Sequence, residues 1–137
     1  MADYDAEVEK IEAQNKPILD AFREWLAAKG LSKKTIRNHV DNIDFFADFL
    51  TYYEPVEALV DADEGDIGSF CGNWFPRKAM WASASSARSN MASFRKFAAF
   101  MVESARWDKA KAQDIRELLK ENKDEFIEVA AGYDDVW

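Results

Sequence analysis

Ser85 to Ser104 reads SSARSNMASFRKFAAFMVES, and its spacing decides the fold class. Ala87, Met91, Phe94, Ala98 and Met101 recur every three or four residues, which is the period of a helix with one buried face. Ser85, Arg88, Ser89, Ala92, Arg95, Lys96 and Ala99 fall within one arc opposite that stripe. Serines at 83, 85 and 86 offer N-caps for this helix, expected over about 85–104. Its outward face therefore carries three cations among small side chains, which allows close approach to another surface.

The same period extends in both directions. Upstream, a first helix starts near Asp5 or at Pro17, carries Ile18, Phe22, Trp25 and Leu26 inward, and ends by Gly30. Pro17 marks a break, because proline suits only a first turn, and Gly30 suits the left-handed position after a helix end. Ser32 caps a second helix over about 33–53, with Ile36, Val40, Ile43, Ala47 and Leu50 on one face, widened by Phe46 and Phe49. After Pro55 and an acidic run, Asp61-x-x-Glu64 or Asp63-x-x-Asp66 starts a third helix over about 64–75, with Ile67, Phe70 and Cys71 inward, ended by Pro76. The 85–104 helix is the fourth. Asp108 caps a fifth through about Lys120, with Ile115, Leu118 and Leu119 inward. Asn122-x-x-Glu125 opens a short last helix ending at Gly132. With five Gly, three Pro and no repeat or linker, the chain reads as all-α, a compact orthogonal bundle of about five or six helices. One domain is expected over 1–137, a length that suits a single core.

Bulk charge points away from nucleic acid: 26 acids against 18 bases give a net charge of −8. Resolved along the chain, the picture changes. Residues 73–112 carry eight bases (Arg77, Lys78, Arg88, Arg95, Lys96, Arg106, Lys109 and Lys111) against two acids. The 54–72 stretch carries six acids and no base. With a Debye length of about 8 Å at physiological salt, a basic face acts partly apart from distant acids.

Other chemistries are poorly served. One Cys and one His provide neither a disulfide framework nor an ordinary zinc site. His39 beside the Ile36/Ile43 stripe reads as a packed core residue, and Cys71 as buried and inert. The acid runs at 57–66 and 114–128 lack the Gly-centred spacing of a calcium loop. No signal peptide and no apolar run of membrane-spanning length is present. A cytoplasmic protein with no cofactor and no membrane partner is expected.

Two stretches carry a resemblance. One is Phe22-Arg23-Glu24-Trp25-Leu26 followed by Gly30-Leu31-Ser32-Lys33-Lys34-Thr35-Ile36, then Phe45, Phe46, Phe49 and Leu50. The other is Ser85–Ser104, and Asp66-Ile67 with Phe70 lies between them. In this order they resemble the N-terminal SAM-like, or core-binding, domain of tyrosine recombinases and phage integrases, over roughly residues 15–107. The segment 108–132 would then add C-terminal helices. The chain departs from the family pattern at His39, where members often carry Tyr, and in its Trp74–Trp81 connection. The family's catalytic residues are not matched: His39 is followed by Val40, Asp41 and Asn42, so no His-x-x-Arg exists. The resemblance implies a non-enzymatic module, whole in itself or the front piece of a longer recombinase. It also implies that the second and fourth helices grip double-stranded DNA.

The residues expected to do so are Lys33, Lys34 and Arg37, at the start of the second helix, and Ser85, Arg88, Ser89, Arg95 and Lys96 on the fourth. Phosphate contacts from such groups position a protein without reading sequence; for base contacts only Asn38 and Asn90 stand nearby, and Asn90 falls toward the apolar side. Arg37 has an alternative partner in Asp41, at i+4. Trp74, Phe75, Met80 and Trp81 around Arg77 and Lys78 read as core packing of a long connection or as an aromatic-basic platform for single strands. The alternative function is a protein-interaction or self-association module that kept the fold and lost DNA, with Trp74, Phe75 and Trp81 as its interface. Tyr52 and Tyr53 read as packing or surface aromatics, and Trp137 as a terminal group able to dock on the body or on a partner.

Overall fold

In the computed structural model, which describes residues 2–135, every regular element is helical. The expected docking of Trp137 lies outside the described residues. The helices are α1 (Ala2–Ala28), α2 (Lys33–Leu50), α3 (Glu64–Ser69), α4 (Phe75–Lys78), α5 (Ala84–Glu103), α6 (Lys109–Glu121) and α7 (Lys123–Asp135). A 3₁₀ turn spans Leu59–Asp61, and a π-helical turn, Phe70–Trp74, joins α3 to α4. The chain's contacts cluster in two units, one up to Ala62 and one from Asp63 onward.

In the first unit α1 packs along α2. Ile11, Ile18, Phe22 and Leu26 of α1 are buried, as are Ile36, Val40, Ile43, Phe46, Ala47 and Leu50 of α2. Trp25 is only half-buried, its ring stacked on Phe22 at 6.2 Å. Of the two starts read from the sequence the helix takes the earlier, and Pro17 does not mark a break in α1. A helix-interior proline costs about 3 kcal/mol, but Pro17 sits on the exposed side, and four buried apolar side chains contribute roughly 1.5–3 kcal/mol each. Packing outweighs propensity. Two further contacts tie α1 to the end of the unit: the Asn15 Oδ1 accepts from the Leu59 N–H at 3.0 Å, and the Tyr4 hydroxyl donates to the Thr51 carbonyl at 2.5 Å.

Gly30 closes α1 as expected, at φ +83°. The Leu31 N–H reaches back to the Leu26 carbonyl and the Gly30 N–H to Ala27, which is a Schellman closure. Ser32 caps α2, accepting from the Thr35 N–H at 3.2 Å. The helix stops at Leu50 with Thr51 as its C-cap, three residues short of the expected end. Tyr52 and Tyr53 are about half exposed and meet edge to face at 4.8 Å.

The second unit opens on a capping box between Asp63 and Asp66. Pro76 does not end the following segment. It stands in the first turn of α4, which continues directly from the π turn. The π turn makes this possible by letting the Phe75 N–H bond the Phe70 carbonyl, one residue further back than in an α-helix. Gly72 in this turn takes the ring of Phe126 from α7 against its backbone; a Cβ there would lie 3.2 Å from Cε1.

Ser83 and Ser86 form the capping box of α5, which buries Ala87, Met91, Phe94, Phe97, Ala98, Phe100 and Met101. Asp108 caps α6 through the Lys111 N–H at 2.8 Å. Ile115 and Leu119 are buried there, and half-buried Leu118 faces Gly68. Asn122 does not open a capping box: its Nδ2 turns back to donate to the Leu118 carbonyl, and α7 runs through Gly132 rather than ending there.

A second Schellman closure ends α5: the Arg106 N–H bonds the Met101 carbonyl at 2.8 Å and the Ala105 N–H bonds Val102 at 3.0 Å. Its left-handed residue is Ala105, at φ 60° and exposed. A Cβ in that region costs roughly 1–2 kcal/mol. Ala105→Gly is expected to stabilise the fold by about 0.5–1 kcal/mol after the glycine entropy is discounted. A rise in the thermal midpoint checks this; a fall would show that Ala105 is not strained.

Candidate nucleic-acid interface

The solvent side of α5 coincides with the arc read from the sequence. Ser85, Arg88 and Arg95 are exposed, and Ser89, Ala92, Lys96 and Ala99 are half-exposed. At 100° per residue they cover an arc of about 120°. Phe94, Ala98 and Met101 lie opposite and are buried. Asn90 is turned inward, as expected, and its buried Nδ2 finds no partner among the described residues.

The bases of the 73–112 stretch divide by what holds them. Arg106 lies over the Phe100 ring at 5.5 Å and Lys111 over Trp107 at 5.1 Å, so both are engaged in cation–π packing. Arg77 is held by the Asn73 Oδ1, from Nη2 at 2.8 Å and Nε at 3.2 Å. Sequence reading did not anticipate that pair, although its i, i+4 spacing was visible. Arg88, Arg95 and Lys96 have no carboxylate or hydrogen-bond partner among the described residues.

In the first unit Lys33, Lys34 and Arg37 are exposed in the opening turns of α2, with Asn38 exposed beside them. Arg37 forms no ion pair with Asp41 among the described residues. These cations oppose the helix dipole at a cost of about 0.3–1 kcal/mol each. The other half of α2 is also reversed, since Asp44 and Asp48 stand toward its C-terminal end. They line a groove of about 310 Å³ between α1 and α2, together with Glu12, Asn15, Asp20 and Asp41. Partial burial pushes the Asp44 carboxyl up, with Asp41 adding repulsion. Asp48 is raised likewise by burial, then by Asp44 and Glu12.

A carboxyl raised on folding is a cost to the native state once ionised, and that cost vanishes below the unfolded titration range. Asp44→Asn/Asp48→Asn is therefore expected to raise the thermal midpoint at pH 7, with most of the gain gone once pH has fallen through the raised carboxyl range to the ordinary value of 3.8. A gain that persists unchanged at pH 3.5 would refute the electrostatic cause.

Trp74 and Phe75, read from the sequence as core packing and only in the alternative function as an interface, are buried: 4% and 2% exposed, with rings 5.8 and 5.5 Å from Phe70. The π turn slips the helical phase so that both turn inward. Trp81 remains at the surface, 58% exposed, and Met80 is 97% exposed. His39 is packed at 8% exposure, and burial pushes the Cys71 thiol well above its usual range, so it stays a thiol. Among the described residues no cluster of His, Cys, Asp and Glu is suited to a metal ion, and no helix is long and apolar enough to cross a membrane.

Residues 19–104, from within α1 to the end of α5, match the family model described as the phage integrase N-terminal SAM-like domain. The chain belongs to this family. The match covers well over half of the sequence and contains both cationic helices, α2 and α5. It makes the chain a recombinase-related module and covers the integrase N-terminal domain rather than the catalytic one. No curated protein and no solved structure matches the chain.

Proposed function

We propose that this phage integrase N-terminal SAM-like domain is a non-catalytic DNA-binding module that grips the duplex backbone. The observation that carries the reading is the solvent arc of α5. Its cations Arg88, Arg95 and Lys96 stand unneutralised among small residues, with Ser85 and Ser89 as donors to phosphate oxygens. Family membership supports the same class of partner. Lys33, Lys34 and Arg37 of α2 form a second cationic set, and their unfavourable placement against the dipole is accounted for if they serve phosphate. Contacts of this kind supply affinity and register rather than sequence choice.

The test is fluorescence anisotropy with a labelled duplex at low salt. Binding is expected, and Arg88→Ala/Arg95→Ala/Lys96→Ala weakens it strongly without altering helicity. No binding at low salt, or binding indifferent to the triple substitution, overturns the proposal.

A further inference from the structure

Among the described residues of the second unit, the loop between α4 and α5 holds the most exposed large apolar side chains, Met80 and Trp81. Exposure here is built rather than incidental. The Ala82 N–H bonds the Ala79 carbonyl at 3.1 Å, the Ala79 N–H bonds Phe75 at 3.0 Å, and the Ser86 hydroxyl donates to the Trp81 carbonyl at 3.2 Å. The indole stands at 75° to the buried Phe75 ring, with centroids 6.2 Å apart. An aromatic ring is thus fixed at the surface at little entropic cost to binding.

Along the chain its setting is one-sided, although α7, which packs on α4, carries the acids Asp124, Glu125 and Glu128. From Ile67 to Val102 the sequence contains no carboxylate and five cations. Arg77 and Lys78 are exposed in the turn before the loop. The Arg77 guanidinium is oriented by the neutral Asn73 amide, which fixes the fork while leaving its charge intact.

We propose that Trp81, Met80, Arg77 and Lys78 form a site for single-stranded DNA, separate in kind from the duplex grip. Each nucleotide brings the two features the site answers: a flat base for the indole and a phosphate for the cations. Met80 adds a polarisable apolar surface beside the stack. An acidic protein segment offers the charge without a stacking face in every repeat unit.

The experiment uses the full chain and a labelled 12-mer of thymidine at 50 mM salt, with a 12-base-pair duplex in parallel. The wild type binds the single strand. Trp81→Ala weakens that binding by about 5- to 150-fold, the range for loss of one stacked base, whereas Trp81→Phe retains most of it. Arg77→Ala weakens it and lowers its salt dependence. Trp81→Ala leaves duplex affinity within about twofold, and an unchanged thermal midpoint shows that the variant is folded. Duplex binding that is absent beside Trp81-dependent single-strand binding overturns the duplex proposal alone. A wild type that ignores the single strand, or a Trp81→Ala protein that binds it equally, overturns this one. So does sedimentation showing that Trp81→Ala abolishes self-association without touching single-strand affinity.

Discussion

Phe70→Ala is expected to destabilise the helices from Asp63 onward by about 3–5 kcal/mol. The side chain is wholly buried, and its ring meets Trp74 at 5.8 Å, Phe75 at 5.5 Å and Phe94, edge to face, at 5.8 Å. Truncation removes its burial and opens a cavity that these three rings cannot collapse into without leaving their own partners. Whole domains are stable by only about 5–15 kcal/mol, so the loss is a large share of the total. For a unit of this size it corresponds to a fall in the thermal midpoint of roughly 12 °C or more. Phe70→Leu, which keeps most of the volume, is expected to cost less than half as much. Urea titration followed by circular dichroism measures both. A cost below about 1 kcal/mol for Phe70→Ala would mean that the π turn is not the centre of this core.

That centre was only partly legible in the sequence. Signals that act within one turn were readable, because a side chain and the backbone it bonds are neighbours in sequence. Ser32 and Asp108 cap where they were expected to, Asp63 and Ser83 are each one of the alternatives the sequence offered, and Gly30 closes α1. The α5 stripe was readable for the related reason that twenty residues keep one period. The misses lie where a distant part of the unit decides. Pro17 is carried through α1 by the buried residues around it. Asn122 had two helices to serve and its side chain bonds the earlier one. The π turn inserts a phase slip that no local composition announces, so Trp74 and Phe75 could not be told from Trp81 by aromatic character. The candidate cations were legible as a face of α5, but not which bases of the stretch stay available. The rings under Arg106 and Lys111 make that selection, while the neutral Asn73 amide only orients Arg77.

The net charge of −8 is consistent with this division. Acids on the exposed sides of α6 and α7, among them Asp114, Glu117 and Glu121, belong to helices that pack on α5 but lie outside its cationic arc. They lower attraction to any polyanion at long range, where salt screens most, and act less on contacts made at phosphate distance. Such a protein would be expected to bind weakly and to lose affinity steeply with salt, rather than to coat nucleic acid indiscriminately.

The size of that salt effect is the second large prediction. Each phosphate neutralised by a cation releases counterions, and log affinity falls against log salt by about 0.9 per contact on duplex DNA. Arg88, Arg95 and Lys96 together would contribute a slope of about 2.7, which between 50 and 200 mM salt is a loss of about 40-fold. The triple alanine variant is expected to be weaker at 50 mM and flatter by that amount, so that the two proteins converge as salt rises. Lys33→Ala/Lys34→Ala/Arg37→Ala should flatten the slope by a comparable amount if the α2 set also meets phosphate, and not at all if only α5 does. Reduced affinity with an unchanged slope would mean that the arginines act through shape or apolar contact. Convergence at high salt is the result that identifies the α5 arc as a phosphate-binding face, because a folding defect would separate the two proteins equally at every salt concentration.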